Sequence, residues 1–542
     1  QVEALATHWS RAGEVRRAAR AAAAAGQAAV EAFAFDRASS FYRLALAGTD
    51  DRQSAAVLGR ALGDALANAG RRLDAARAYL DAARLSETQT AASELRRLAA
   101  DELLRGGHID EGIDVLDTVL APIGLRLAKT PRGALASCLY QRAKLAVRGT
   151  KFTLRSRDAV APDTLHRIDA SWSVSSGLGL VDPIRGLDFQ TRGLLLALDA
   201  GEPERISHGL AMDAAMIAAG GARNLPRVTD LLEQAEALLE PTSRPEWRAF
   251  LLVARGVVAF QYGRFTEANR YLTEAESILT EQCIGVPWLL ARAQNFLVWQ
   301  LAYVGRLREI RTRVSRTLDE YGARQDLFST MALTLGPVHI VYLADDRVAA
   351  MRRDCEDLTA RWSQRGFHFQ HFSALFTLAA ADLYEYEPAR ALERLDASQL
   401  ELEGSMLLRS QFFRLDHAYL RGRAALLLAE LDQQRRTSAV REVRQAVRTI
   451  ENEGDTWGLG AARALRAGLA RLDDDAPRAA RELDAAEHAF RAAGMSLHAA
   501  AAALVRATLD GESREPGTEA LRAEGVLDPE RFARFLVPVL GR

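Results

Sequence analysis

The chain has 542 residues, a formal net charge of −1, 26% charged residues and 7% aromatics. That length exceeds what one hydrophobic core organises, so it implies several domains or one repeat array. Near-zero net charge leaves no global case for nucleic acid or an anionic membrane as partner. Alanine, leucine and arginine dominate and prolines number only 15, which points to helix almost throughout, and no run of β-branched alternation argues for a strand. Only Lys129, Lys144 and Lys151 are lysines; every other basic residue is arginine. The composition of a GC-rich bacterial genome accounts for that bias, with phosphate binding as the alternative. Cys138, Cys283 and Cys355 are odd in number and far apart, which suits reduced thiols in a cytoplasmic protein rather than a disulfide framework or a zinc site. No apolar run approaches the roughly 20 residues of a membrane helix, and no signal peptide is visible. The sequence opens at Gln1, inside helical sequence and without methionine, so a longer parent chain is expected.

In chain order, Ala4 to Ala12 reads as a short amphipathic helix ended by Gly13. Gly26, Ala38, Tyr42 and Ala45 then have the same spacing as Gly63, Ala75, Tyr79 and Ala82. In each set a glycine on one helix faces a small–aromatic–small stripe on the next, and Gly70 supplies the positive φ of the turn between. The two sets are offset by 37 positions, and the pattern resembles the tetratricopeptide repeat (TPR), whose period is about 34. A weaker third unit runs through Ala100, Gly106, Gly107, Leu116 and Val119. Leu135 to Val147 reads as one helix, and Gly149 to Asp163 has loop composition. That loop is either mobile or an ordered excursion packed on the array. Thr164 to Gly221 departs from the repeat. Helices are expected at Leu165–Gly177, Pro183–Ala200 and Pro203–Ala219, with Asp182 capping the second. Gly177, Gly179, Gly186 and Gly193 suggest close helix contacts. From Pro226 the pairs resume, most clearly with Gly256, Gly263, Phe265, Ala268, Leu272 and Ala275, then around Trp299 and Gly305, then across Phe372–Ser398 with Ala391 and Leu395 in register. The last helices are Leu415–Leu431, Ser438–Glu453, Gly458–Arg471, Pro477–Ala493, Met495–Leu509 and a terminal one at Asp528–Leu540. This terminal helix has an apolar face of Phe532, Phe535 and Leu536 and serves as a cap or a dimer interface. The expected fold is all-α, a TPR-like helical-hairpin solenoid wound as a right-handed superhelix. Its sections are N-terminal repeats (1–120), an irregular helical section (121–225) with the loop 149–163, central repeats (226–430) and C-terminal repeats with a cap (431–542).

Catalytic motifs are not found. Gly124–Leu–Arg–Leu–Ala–Lys129–Thr130 is the nearest approach to a phosphate loop, but it has Ala128 in place of the second glycine and is one residue short. GLGLVD at Gly177–Asp182 is no dinucleotide fingerprint, because no strand precedes it. His368 and His371 are i, i+3 and could share a metal; the alternative is packing at a helix start. Asp345–Asp346 and Asp473–Asp475 read as solvated acidic turns. No cofactor and no metal are expected.

Three stretches resemble one family: LATHWSRAGEVRRAARAAAAAGQAAVEAFAFDRASSFYRLAL (Leu5–Leu46), RIDASWSVSSGLGLVDPIRGLDFQTRGLLLALDAGEP (Arg167–Pro203) and ARWSQRGFHFQHFSALFTLAAADLYEYEP (Ala360–Pro388). They are similar to the C-terminal helical region of large bacterial serine/threonine protein kinases that carry a STAND-type AAA ATPase module, and to the helical arrays of MalT-type regulators. The resemblance implies kinase and ATPase modules upstream and a non-catalytic sensor scaffold here, in bacterial signalling. In TPR arrays the first helix of each pair lines the concave face. Carried onto this chain, that register turns Arg60, Asp64, Phe250, Val253, Phe260, Arg292, Asn295 and Trp299 inward. Arginine and aromatics are residue types that anchor protein or peptide partners; the alternative for each is packing against neighbouring helices. Besides the scaffold, two other readings stand. One is a small-molecule sensor around Trp172–Gly193, favoured by an accessible pocket there and opposed by a filled core. The other is a helical-repeat enzyme built on His368 and His371. A homo-oligomer remains open, and no membrane partner is expected.

Overall fold

The computed structural model describes residues 2–179, 182–240, 243–324, 326–454 and 456–539. Among them there is no strand. The helices are α1 (Val2–Arg11), α2 (Val15–Glu31), α3 (Phe35–Ala47), α4 (Arg52–Asn68), α5 (Arg72–Leu85), α6 (Gln89–Arg105), α7 (Ile109–Leu120), α8 (Pro131–Arg148), α9 (Pro162–Leu178), α10 (Pro183–Ala200) and α11 (Pro203–Ala218). They continue as α12 (Leu225–Ala237), α13 (Pro245–Gln261), α14 (Phe265–Glu281), α15 (Pro287–Val304), α16 (Leu307–Arg324), α17 (Leu327–Thr334), α18 (Ile340–Ala344), α19 (Val348–Arg361), α20 (Phe369–Tyr384) and α21 (Pro388–Ala397). The last are α22 (Gln399–Gly404), α23 (Gln411–Leu431), α24 (Arg436–Glu453), α25 (Thr456–Leu472), α26 (Ala476–Ala492), α27 (Ser496–Asp510), α28 (Glu515–Ala523) and α29 (Pro529–Leu536). Among the described residues no single helix is long and apolar enough to cross a membrane.

Packing divides the chain into two units. The first is Gln1–Ile206 with Leu279–Ala291 and Leu318–Thr330; the second is Ser207–Ile278 with Arg292–Thr317 and Met331–Arg542. In the first unit each of α1 to α6 packs against the next. The glycine–tyrosine pattern explains how. A Cβ on Gly26 would lie 2.7 Å from Tyr42 Cε1, and one on Gly63 would lie 2.4 Å from Tyr79 Cε1. Each ring therefore rests against bare backbone, which brings the paired helices close. Ala38, Ala45, Ala75 and Ala82, on either side of the rings, are buried to 1% exposure or less. The alanine-rich stripe thus buys proximity, and dispersion across many small contacts replaces large side chains. Gly70 closes the α4–α5 turn at φ +76°, a left-handed backbone that any Cβ would strain.

The stretch 149–161 is an ordered excursion. Arg155 N–H donates to Gly201 O at 2.9 Å. Gly201, at φ +83°, is so close that a Cβ there would meet Thr153 O at 2.2 Å. Arg148 ties the loop's start by donating to Gly149 O and Lys151 O. The glycines of α9 and α10 are consumed by helix contacts: a Cβ on Gly177 would meet Leu104 at 2.6 Å, and one on Gly186 would meet Gly179 Cα at 2.8 Å. With Val174, Leu178 and Phe189 fully buried, these contacts belong to a filled core rather than a ligand pocket. Leu180 and Val181 of that stretch lie outside the described residues, as does Gln1.

The second unit repeats the logic with leucine for tyrosine. A Cβ on Gly256 would lie 2.5 Å from Leu272 Cγ, and one on Gly422 would lie 2.7 Å from Leu465 Cδ1. The apolar face of α29 is a cap: Phe532, Phe535 and Leu536 are all buried. Arg423 Nη1 donates to Phe535 O at 2.9 Å and Tyr419 Oη donates to Leu536 O at 2.6 Å, satisfying carbonyls that a helix end leaves open. Leu540, the expected end of that helix, lies outside the described residues.

Beneath this cap sits a buried carboxyl. Burial pushes Asp416 up to about 7, although Tyr303 Oη donates to it at 2.5 Å and the Arg423 charge acts the other way. Arg423 also has Tyr419, His339 and His498 about it. A carboxyl whose folded value exceeds its unfolded value of about 4 contributes stability fully present below that unfolded value and lost as pH rises through about 7. Wild-type chain is therefore expected to lose several degrees of Tm between pH 5 and 8 relative to Asp416→Asn, which keeps the acceptor for Tyr303 and removes the charge. Parallel pH profiles for the two proteins would overturn this.

Candidate partner-binding face

The 37-residue offset carries more than packing. The residue after each small position is Gln27, Asp64 and then Asp101, at constant spacing on α2, α4 and α6. The tyrosine hydroxyls reach it: Tyr42 Oη donates to Gln27 Oε1 at 3.4 Å and Tyr79 Oη to Asp64 Oδ1 at 2.8 Å. In the third hairpin Leu116 stands where a tyrosine would. Asp101 instead accepts from Arg97 Nη1 at 2.9 Å and from Ser173 Oγ on α9 at 3.0 Å. Arg97 occupies the same repeat position as Arg60. Arg97 grips Glu94 through Nε and Nη2 at 2.8 and 2.7 Å, a two-pronged pair of the kind guanidinium favours.

A line of charge thus runs across successive helices. Arg60 and Asp64 open it, 3.9 Å apart with side chains 55% and 50% exposed. Glu94, Arg97 and Asp101 continue it on α6. His166 Nδ1 approaches Glu94 at 3.6 Å, and Arg205 holds both Asp169 oxygens at 2.9 and 2.8 Å. Burial raises Asp64 above the usual carboxylate range, against the Tyr79 hydrogen bond and the Arg60 charge, and Glu94 adds to the rise. Burial would raise Glu94 too, but the Arg97 hydrogen bonds and charge, with His166 and Arg60, outweigh it and hold Glu94 low. The Arg60 charge acts on both acids, so the two helices share one electrostatic field. Further along, Arg105 stacks on Trp288 at 4.8 Å and Trp172 at 5.8 Å, and the two indoles meet edge to face at 6.2 Å. Asp101 Oδ1 and His166 Nε2 are buried and have no hydrogen-bond partner within the protein, an arrangement that normally calls for one.

Of the residues singled out by repeat register, the structure places Arg60 and Asp64 on this face and partly open. The second-unit residues are a correction. Phe250, Val253, Phe260, Asn295 and Trp299 are 3–7% exposed, and Arg292 is half-buried. Phe260 is the hub of an aromatic cluster with Phe412 at 4.8 Å, Phe296 at 5.5 Å, Tyr303 at 5.7 Å and Phe265 at 5.8 Å. Trp299 Nε1 donates to Ala332 O at 2.7 Å. These side chains hold helices together, and Phe412 at the start of α23 packs on Phe260 from far along the chain. Sequence reading missed Glu94, Arg97, Asp101, His166 and Asp169. Extending the 37-residue offset once more, from Arg60 and Asp64, reaches Arg97 and Asp101.

The other candidates are structural. His368 Nδ1 accepts from Trp362 Nε1, and His371 Nδ1 accepts from His368 N–H, each at 3.0 Å, so the pair caps α20. Among the described residues no group of three His, Cys, Asp or Glu could hold a metal ion. Asp345 and Asp346 pair with Arg311 and Arg531, beyond the solvation expected of them. Asp475 caps α26. Thr130, at the end of the imperfect phosphate loop, caps α8 through Gly133 N–H.

Fold and site together define an all-α, TPR-like helical-hairpin array with a charged first-helix face. Among solved structures the chain is similar to a Rap protein complexed with competence and sporulation factor, covering 77% of this chain and 99% of that one at 14% identity and a TM-score of 0.38. It is also similar to the APC/C hetero-tetramer Cut9–Hcn1, covering 95% of this chain and 93% of that one at 12% identity and a TM-score of 0.41. No protein-family model and no curated protein matches it.

Proposed function

We propose that this chain is a non-catalytic binding scaffold that takes a protein or peptide along the first-helix face of its first unit. In the longer signalling protein that the sequence resemblance implies, occupancy would bias an attached kinase and ATPase module. The carrying observation is the Arg60–Asp64 pair, half exposed and repeated in register by Arg97 and Asp101. Exposed members of such a line are free to exchange their mutual pairing for a partner's charges at little desolvation cost. Buried members fix the geometry of the face. A solenoid is held by nearest-neighbour contacts, so a ligand bridging two hairpins alters their relative pose and can be felt by whatever is fused to the array.

The test is selection of 15-residue peptides from a displayed random library against the full chain. Selected peptides are expected to compete with one another and to lose tenfold or more in affinity for the Arg60→Glu, Asp64→Arg double variant, with its helical circular dichroism unchanged. Peptides that bind this variant as well as wild type would sink the assignment. The regulatory part is tested by ATP turnover of the chain joined to its upstream sequence, with and without such a peptide; an unchanged rate would refute it.

A further inference from the structure

Helix α8 carries a face that the first unit does not cover. Its inner side is conventional: Ala134, Cys138 and Leu145 are buried to 5% exposure or less. Ser137 Oγ donates to Asp188 Oδ1 at 2.9 Å and accepts from Arg192 Nη2 at 2.7 Å, which fixes α8 on α10. On its outer side Ala136, Leu139, Tyr140, Ala143 and Val147 are all exposed. Their spacing of i, i+3, i+4, i+7, i+11 makes one stripe about 17 Å long. Leu139 is 59% exposed, Tyr140 66% and Val147 90%. An amphipathic helix normally turns such a stripe inward; here the helix has two apolar faces and the fold uses one.

Charge along this stretch of chain is one-sided, and Asp199, an acid that reaches it from α10, is paired with Arg148 at 2.8 Å. From Thr118 to Arg157 the sequence has nine basic residues and no Asp or Glu, in a chain whose net charge is −1. All three lysines of the protein fall here. Lys129 and Arg132 stand at the start of the stripe, Lys144 along its edge, and Lys151, Arg155 and Arg157 beyond its end, all exposed. Two observations, an open apolar seam and a cationic frame around it, thus coincide on a single helix.

We propose that α8 is a docking site for an acidic amphipathic helix of a partner protein. Charge complementarity selects the acid: Glu or Asp flanking the partner's apolar stripe would meet Lys144, Arg132 and Lys151 as e and g charges do across a coiled coil. Shape selects the helix. The seam is narrow and has alanine at two of its five positions, so another helix can approach closely and set its larger side chains beside Ala136 and Ala143. A membrane surface fits less well, because interfacial binding scales with buried apolar area and favours Trp, Phe and Leu. Here Leu139, Tyr140 and Val147 are the only large apolar groups in the stripe. A second copy of the same helix would bring cation against cation. The site is separate from the Arg60–Asp64 face and does not depend on its assignment.

The probe is a labelled 21-residue helical peptide with leucine and alanine at its a and d positions and glutamate at e and g. Its control has lysine at e and g. Fluorescence anisotropy with the full chain is expected to show the acidic peptide binding at least tenfold more tightly than the basic one. Raising salt from about 50 to 300 mM should weaken it several-fold. Both Leu139→Glu with Val147→Glu and Lys144→Glu with Arg132→Glu should reduce binding tenfold or more. These positions are exposed, so the variants are expected to keep wild-type circular dichroism. Equal affinity for the two peptides, or binding indifferent to both variants, overturns the proposal. So does variant-sensitive binding seen only with vesicles containing a quarter phosphatidylglycerol, or variant-sensitive self-association of the chain in sedimentation equilibrium.

Discussion

Gly63→Ala is expected to destabilise the first unit by about 2 kcal/mol, even though alanine is the better helix former by roughly 1 kcal/mol. The added methyl would lie 2.4 Å from Tyr79 Cε1 and 2.9 Å from Cζ. That ring has nowhere to go: Tyr79 is 3% exposed, and its hydroxyl is held by Asp64. Relief requires α4 and α5 to move apart, which loosens the alanines at positions 75, 76 and 82. The protein itself supplies the compensating change. At the equivalent place in the third hairpin Ala100 and Leu116 replace glycine and tyrosine, both buried completely. Gly63→Ala with Tyr79→Leu should therefore return to within about 1 kcal/mol of wild type, while Tyr79→Leu alone loses ring contacts and the Asp64 hydrogen bond. Urea unfolding followed at 222 nm would read all four proteins. If the double variant is as unstable as the sum of its parts, glycine and tyrosine are not acting as a pair.

That exchange shows why the hairpins of the first unit were legible. Small–large–small spacing at fixed offset is a local pattern, and the contact it encodes lies within about 16 residues of chain. Helix ends were legible for a similar reason, since Asp182 announces a cap three residues ahead and does accept from Arg185 N–H. What stayed hidden depends on distant chain. Residues 318–360 hold the end of α16 with α17, α18 and α19, which no periodicity revealed, because the elements are short and Met331, Leu333, Leu335, Val338 and Leu343 are buried across two helices and the turn between them. The placing of Phe250, Phe260 and Trp299 on an open face failed because repeat register tells which way a side chain points, not what arrives opposite it. Phe412 is 152 positions from Phe260. The charged face was half legible: Arg60 and Asp64 follow from register, whereas His166 and Asp169 come from the irregular section, where register no longer holds.

Arg72→Met should cost the first unit about 3–5 kcal/mol, the largest single loss expected in this protein. Arg72 Nε donates to Asp326 Oδ2 at 2.9 Å and Nη1 to Glu102 Oε2 at 3.2 Å, with all three side chains 9% exposed or less. Burial alone would lower the Arg72 pKa, but the two acids more than reverse this and raise it, so the guanidinium stays charged. Removing it leaves two carboxylates in the interior; among the described residues Arg105, 3.9 Å from Glu102, is the cation that still pairs with one of them. Asp326 also caps α17, accepting from Ser329 N–H at 3.0 Å. Its loss of position would free the run 318–330, which returns to the first unit from far along the chain. Most of the cost is the stranded charge rather than the pair's net worth. Arg72→Met combined with Glu102→Gln and Asp326→Asn should therefore recover at least half of the loss, since asparagine still caps and glutamine buries no charge. Arg72→Lys should fall between, keeping the charge but losing the fork that reaches both acids. If the triple variant is no more stable than Arg72→Met, the ion triad itself is the stabilising element.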